Sequence, residues 1–248
     1  QCLSIVSHQK DLIREQYNSS IITSTSVKSP QGVIVSMVSK LFGFHSIVGV
    51  GNIKSIEHTV SLNKPMKICY ELGSEIICLS GQAYPNVLEA NVQKLQKERK
   101  MFNISFGLEG TKEDVITPIM NQVQNIPKEV TTIVIPLGSG ITFSGIVEGI
   151  LKYKLEHIKR IIAVQPFGYD RMKKISSLVS FKGFEEQIEY YKGDYPYAKP
   201  LKYRIADSFD LDTVYESKAF DYMIKQDLVN TQKENVLFWV VGNANWIR

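Results

Sequence analysis

The sequence predicts an α/β protein built on mostly parallel sheets with helices on both faces. Three observations carry that expectation. Short β-branched runs alternate with segments of helical spacing along most of the chain, the mark of successive βαβ units. The run Ile133–Pro136 is apolar throughout rather than alternating, as in a strand covered on both sides. The stretch VIPLGSGITFSGIVEG, Val134–Gly149, passes from that strand through Gly138-Ser139-Gly140 into a helix-spaced segment. Strand, glycine turn and helix in this order present backbone N–H groups to a phosphate at a helix N-terminus.

In chain order, Ile21–Ser24 reads as a strand and Gln31–Phe42, with apolar residues at helical spacing, as a helix. Ser46–Val50 is a second strand, Pro65–Leu72 a helix and Glu75–Leu79 a third strand. A long helix is expected at Asn86–Lys100, a strand near Asn103–Phe106 and a helix over Lys112–Asn125. Then follow strand Thr131–Ile135, helix Thr142–Tyr153 and strand Arg160–Gln165. Gly183–Pro200, rich in Tyr, Gly and Pro, reads as an irregular surface loop. The tail holds a helix, Val214–Lys225, and a last strand, Val236–Val241. Ligands of such folds sit at the carboxyl ends of strands, where the glycine turn already is. The turn is not a Walker A loop, because no lysine follows its last glycine, and it lacks the spacing of a dinucleotide site.

Composition narrows the classes. With 248 residues, 44% apolar and 22% charged, the chain is an ordinary globular one with room for a large core. No apolar run is long enough to cross a bilayer. The opening QCLSIVSHQKD lacks the basic and apolar regions of a signal peptide. Cys2, Cys69 and Cys78 have neither disulfide nor metal-ligand spacing, so a reducing cytoplasm is expected, with Cys69 and Cys78 as core thiols. His8, His45, His58 and His157 form no metal or triad pattern, and no metal is expected. The formal charge of +4 comes without a Lys/Arg block; it permits an anionic cofactor or nucleic acid and requires neither.

Four segments together resemble one family: SIITSTSVKSPQGVIVSMVSKLFGFHSIVGV (Ser20–Val50), IVIPLGSGITFSGIVEG (Ile133–Gly149), LDTVYESKAFDYM (Leu211–Met223) and VLFWVVGNANW (Val236–Trp246). They look like the fold-type II, tryptophan synthase beta-like pyridoxal-phosphate enzymes, in particular the branch of aminocyclopropane-carboxylate deaminase and D-cysteine desulfhydrase. The resemblance implies a smaller α/β domain at 15–80 and a larger one at 81–248 with 1–14, with pyridoxal 5′-phosphate in the cleft between them. It also implies a homodimer and a small amino acid as substrate. Gly138, Ser139, Gly140 and Thr142 match the family's phosphate cradle, with Ile141 where relatives carry a small residue. Tyr215 and Glu216 match a Tyr-Glu pair in which glutamate meets the pyridine nitrogen and tyrosine faces substrate. Ser29 and Gln31 match two positions of a Ser-Asn-His/Gln turn, and Pro30 replaces the asparagine. Gly242-Asn243 stands for a Gly-Gly pair. The family's cofactor-linking lysine lies upstream of that turn, which makes Lys10 the candidate, although ungapped counting lands near Cys2. Lys28 is a poor substitute.

Each residue also has a plain reading. Lys10 is a solvated lysine at a helix start, and Glu216 a surface carboxylate that suits a helix dipole. Tyr215 is a core tyrosine with a satisfied hydroxyl. Ser29 is an N-cap before Pro30 at the first helical position. Tyr190, Tyr191, Tyr195 and Tyr197, with Lys192, Lys199, Lys202 and Arg204, form either a packed lid or a surface for stacking bases. The expected function is a pyridoxal-phosphate-dependent lyase or deaminase acting on a small amino acid. The alternatives are a same-fold enzyme acting on an amino-acid-modified base in DNA, and a non-catalytic relative that keeps the phosphate site.

Overall fold

The computed structural model describes all residues except 81–83, 109, 169, 197–198, 206–208, 230–233 and 242–248, and the side chains of 85 and 174. Two compact units divide the chain, one spanning Gln1–Val115 and the other beginning at Ile116.

The first unit opens with helix α1 (Cys2–Gln16), strand β1 (Ser20–Thr25), helix α2 (Gln31–Phe42) and strand β2 (His45–Gly51). Helices α3 (Ile56–Leu62) and α4 (Lys64–Glu71), strand β3 (Glu75–Leu79), helix α5 (Pro85–Arg99), strand β4 (Phe102–Ile104) and the short helix α6 (Lys112–Val115) complete it. Its four strands form one parallel sheet in the order β3-β2-β1-β4. Side chains alternate across it. Ile22 and Ile47 pack with Leu88, Val92 and Met101 on the α5 face. Val48, Val50 and Ile76 pack with Val33, Met66 and Cys69 on the face of α2 and α4. Because β4 pairs with β1 and α1 packs on α2, residues 84–104 and the N-terminal helix belong to this unit. The resemblance had placed both with the larger domain.

The second unit begins with helix α7 (Thr117–Gln122), a 3-10 turn at Val123–Asn125, strand β5 (Thr132–Pro136), helix α8 (Ile141–Tyr153), strand β6 (Arg160–Gln165) and helix α9 (Met172–Leu178). Strands β7 (Ile188–Lys192), β8 (Arg204–Ile205) and β9 (Phe209–Asp210), helix α10 (Glu216–Lys225) and strand β10 (Val236–Phe238) follow. The main sheet is again parallel, in the order β10-β5-β6-β7, beside a small antiparallel β8-β9 pair. Val134, Ile162 and Val164 pack against Ala219, Tyr222 and Met223 of α10. Helix α8 lies against α7 at very short range: a Cβ on Gly149 would sit 2.8 Å from the Met120 carbonyl oxygen. Only glycine allows that approach.

Three differences from the sequence reading have physical causes. The helix expected over Lys112–Asn125 breaks at Ile116 into α6, α7 and the 3-10 turn, because Pro118 restricts the residue before it and donates no N–H. Ile188–Lys192, inside the expected loop, is the edge strand β7, whose ladder to β6 supplies the pairing that local composition does not show. Cys78 is exposed rather than a core thiol, since β3 is an edge strand with one uncovered flank. His8 has a structural role, in keeping with the absence of a metal or triad pattern: its Nδ1 lies 2.6 Å from Asp114 Oδ1.

Asp114 also accepts a hydrogen bond from the Thr111 hydroxyl at 2.7 Å, and its own N–H donates to Thr111 Oγ1 at 3.2 Å. The cluster caps α6 and clamps it to α1. Burial raises the Asp114 pKa, but hydrogen bonds from His8 and Thr111 outweigh burial and hold the carboxyl below its usual range. A carboxyl lowered in the folded state stabilises above its unfolded pKa and loses that contribution as pH falls through the lowered value. Asp114→Ala should therefore cost about 1–3 kcal/mol near neutral pH, and the gap to wild type should close as pH falls below about 4. Urea denaturation at several pH values checks this.

Candidate functional site

The order of each sheet marks where a ligand would sit. In the first, the chain runs β1, β2, β3 to one side and returns with β4 on the other flank of β1. In the second, it runs β5, β6, β7 to one side and returns with β10 on the other flank of β5. Crevices at the carboxyl ends of strands open at such reversals. The segments there are the turn after β1, which holds Ser29, and the turn after β5, which holds the glycines.

In the second unit, Leu137 N–H donates to the Val164 carbonyl at 2.7 Å, keeping the chain in the sheet for one residue beyond β5. Gly140 then turns with φ +90° and ψ −10° as the cap of α8. Its conformation disfavours any side chain, and a Cβ there would lie 2.4 Å from Ile175 Cγ1. The first N–H groups of α8 have no intrahelical carbonyl to meet and carry the positive end of the helix dipole. Ser139 and Thr142 are half-buried beside them, with Ser139 Oγ 3.5 Å from the Ile141 nitrogen. A Cβ on Gly138 would stand 3.6 Å from the Tyr215 ring. Tyr215 in turn tilts at 45° against Phe167, centroid to centroid 5.0 Å.

The start of α10 is built by reciprocal capping. Asp212 accepts from the N–H groups of Val214 at 2.7 Å and Tyr215 at 3.2 Å, while Glu216 Oε2 accepts from the Asp212 N–H at 2.9 Å. Burial pushes the Asp212 carboxyl up, against the lowering effect of those N–H donors. Glu216 is 0% exposed rather than a surface carboxylate. Lys218 is equally buried; its Nζ donates to the Pro196 carbonyl at 2.8 Å and stands 4.8 Å over the Phe167 ring. Burial lowers its pKa, opposed by the charge of Asp212.

In the first unit, Ser29 lies half-buried in the turn. Its N–H donates to the Ser26 carbonyl at 3.0 Å, and its Oγ accepts from the Gln31 N–H at 3.2 Å. Gln31 is buried and braces the unit. Its Oε1 accepts from the Gly107 N–H at 2.8 Å, and its Nε2 donates to Thr23 Oγ1 at 2.9 Å and the Ser105 carbonyl at 3.0 Å. Its amide is thus taken up by the segments around the carboxyl ends of β1 and β4. Lys10 and Lys28 are exposed. Cys2 is buried at the start of α1, and burial pushes its thiol up to about 12, so it is an unreactive core thiol. Of the expected residues, Gly138, Ser139, Gly140, Thr142, Tyr215 and Glu216 share the second unit; Lys10, Ser29 and Gln31 belong to the first. Gly242 and Asn243 lie outside the described residues. Asp212, Phe167 and Lys218 were missed. Asp212 and Glu216, one turn apart at the start of an apolar helix, are a readable start signal; nothing in the sequence points to Phe167.

The family model described as pyridoxal-phosphate dependent enzyme matches residues 2–215. The chain belongs to that family. Its fold is that of the fold-type II members, and the family's cofactor is pyridoxal phosphate. Among solved structures, an ACC deaminase homologue matches with TM-score 0.70 and 21% identity, covering 97% of this chain and 79% of that one. Maize serine racemase matches with TM-score 0.64 and 14% identity, covering 98% and 78%. The O-acetylserine dependent cystathionine beta-synthase of Helicobacter pylori matches with TM-score 0.63 and 16% identity, covering 98% and 81%. No curated protein matches significantly. The described residues contain no group of three or more His, Cys, Asp or Glu able to hold a metal ion, and no helix long and apolar enough to cross a membrane.

Glu216→Ala removes the acceptor for the Asp212 N–H and should cost about 0.5–2 kcal/mol. Glu216→Gln keeps an acceptor oxygen and should cost less than half as much, as thermal unfolding of the two variants would show.

Proposed function

We propose that this chain binds pyridoxal 5′-phosphate through the glycine turn of its second unit and acts as a lyase or deaminase on a small amino acid. The observation that carries the reading is Gly140, whose positive φ and contact with Ile175 leave no room for a side chain at the start of α8. The turn suits a phosphate dianion: the first N–H groups of α8 lack intrahelical acceptors, the helix dipole is favourable, and Ser139 and Thr142 bring hydroxyls. The nearness of Tyr215 to Gly138 supports a role beside whatever the turn would hold, and Glu216 follows it on α10. Bound pyridoxal phosphate supplies an electron sink for reactions next to an amino group. In this reading the residues of this chain would bind and orient it: the turn would hold the phosphate, Glu216 would serve the ring nitrogen, and Ser29 would receive a substrate carboxylate. Lys10 is the residue proposed to link the cofactor, and a homodimer is the assembly proposed.

A second reading, a relative that binds the phosphate without catalysis, is favoured by the exposure of Lys10 on α1 and the inert thiol of Cys2. The reading on a modified DNA base gains nothing from the aromatic segment. Tyr190 donates to Gln165, Tyr195 donates to Asp221, and Tyr191 packs on Tyr222; Tyr197 lies outside the described residues.

Gly140→Asp should weaken binding of pyridoxal phosphate at least tenfold, about 1.4 kcal/mol, in an absorbance titration of folded protein. Unchanged affinity would remove the turn as the site. Borohydride reduction followed by peptide mass spectrometry should fix the cofactor on Lys10 in wild type and on no lysine in Lys10→Ala. Binding without any fixed lysine would favour the non-catalytic reading.

A further inference from the structure

Lys218 is a fully buried ammonium that the proposed chemistry does not use. We propose that it is a positioning residue: it ties the segment after β7 and the Phe167 ring to the first turn of α10, and so holds Tyr215 against Gly138. The inference rests on the reading that the glycine turn binds pyridoxal phosphate.

Three segments converge on this side chain. Phe167 follows β6, Pro196 follows β7, and Lys218 lies in the first turn of α10. Lys218 Nζ donates to the Pro196 carbonyl at 2.8 Å and stands 4.8 Å over the Phe167 ring. The other face of the arrangement is Tyr215, 5.0 Å from Phe167 by ring centroids and 3.6 Å from where a Gly138 Cβ would be. The two loops are also bound to each other. Gln165 Nε2 donates to the Phe167 carbonyl at 2.9 Å, the Gly193 N–H donates to the Gln165 carbonyl at 2.7 Å, and the Tyr195 N–H donates to the Pro166 carbonyl at 3.1 Å. Lys218 joins this paired unit to α10.

Burying an ammonium is costly. Among the described residues, its acceptors are one carbonyl and one ring face, with Asp212 contributing through its charge. An apolar side chain of the same length would fill the space without that cost, but it would neither hold the Pro196 carbonyl nor attract the Phe167 ring. The charge therefore serves geometry. It sets Phe167, Phe167 sets the tilt of Tyr215, and Tyr215 walls the turn on the Gly138 side.

The test compares wild type, Lys218→Met, Lys218→Arg and Phe167→Leu. Pyridoxal phosphate titrations are run at a temperature where circular dichroism shows each folded. Lys218→Met should bind at least tenfold more weakly, and Lys218→Arg, which keeps charge and donors, should recover most of that loss. Trypsin should cut after Lys192 faster in Lys218→Met. Should that variant not fold, Phe167→Leu carries the test through the same expected loss of affinity. A Met variant within twofold of wild type, an Arg variant as weak as Met, or a borohydride-fixed cofactor on Lys218 itself would overturn the positioning role. A wild type that does not bind pyridoxal phosphate would overturn the underlying reading instead.

Discussion

At the end of β5 the chain must leave a fully buried strand and start a helix within five residues, and much of the second unit is arranged around how it does so. Gly140 meets the demand with a left-handed backbone that only glycine adopts at low cost. Ile175 of α9 occupies the space a side chain would need, and Tyr215 lies against Gly138. Ile175 on α9 and Tyr215 at the cap of α10 are thus accommodated by the absence of two side chains. The same turn starts α8, whose first N–H groups have no intrahelical carbonyl to meet.

The two units solve one problem in two ways. Each has a four-stranded parallel sheet with a reversal of strand order, and each places its turn at the carboxyl end of the strand beside that reversal. In the second unit glycine keeps side chains out of the turn. In the first it is filled in. Gln31 reaches back to Thr23, Ser105 and Gly107 and spends its amide on the unit's own groups. Glu89 of α5 does likewise, accepting from Asn103 at 2.6 Å and from the Phe106 N–H at 3.1 Å. Buried polar groups satisfied in this way rigidify the segments around the turn. Ser29, half-buried at the head of α2, is the expected site residue of that unit whose hydroxyl lies at the turn itself.

Much of the fold was legible. Helix Gln31–Phe42 and strands Glu75–Leu79 and Arg160–Gln165 run over the residues expected from periodicity alone, because each is an apolar segment bounded by strong turn signals. The glycine turn was legible for the same reason: its geometry is imposed by residue type. Helix α1 was not delineated, since its buried face of Cys2, Ile5, Val6 and Ile13 is sparse among polar residues. Strand β7 was hidden because its pairing with β6 is a tertiary event in a segment rich in turn-forming residues.

What the sequence determined by itself is whatever follows from local sterics and periodicity: the α/β class, the covered parallel strands, the glycine turn and the helix that follows it. Only the tertiary structure decided which polar groups are buried and what each one faces. Glu216 and Lys218 look like ordinary helix-start charges in the sequence, yet both are withdrawn from water, one to accept from Asp212 and the other to hold Pro196 and Phe167. Lys10, which the resemblance makes the reactive amine, stands in solvent. Burial of a charge depends on what distant segments bring to it, and that information is spread over the chain rather than written beside the residue.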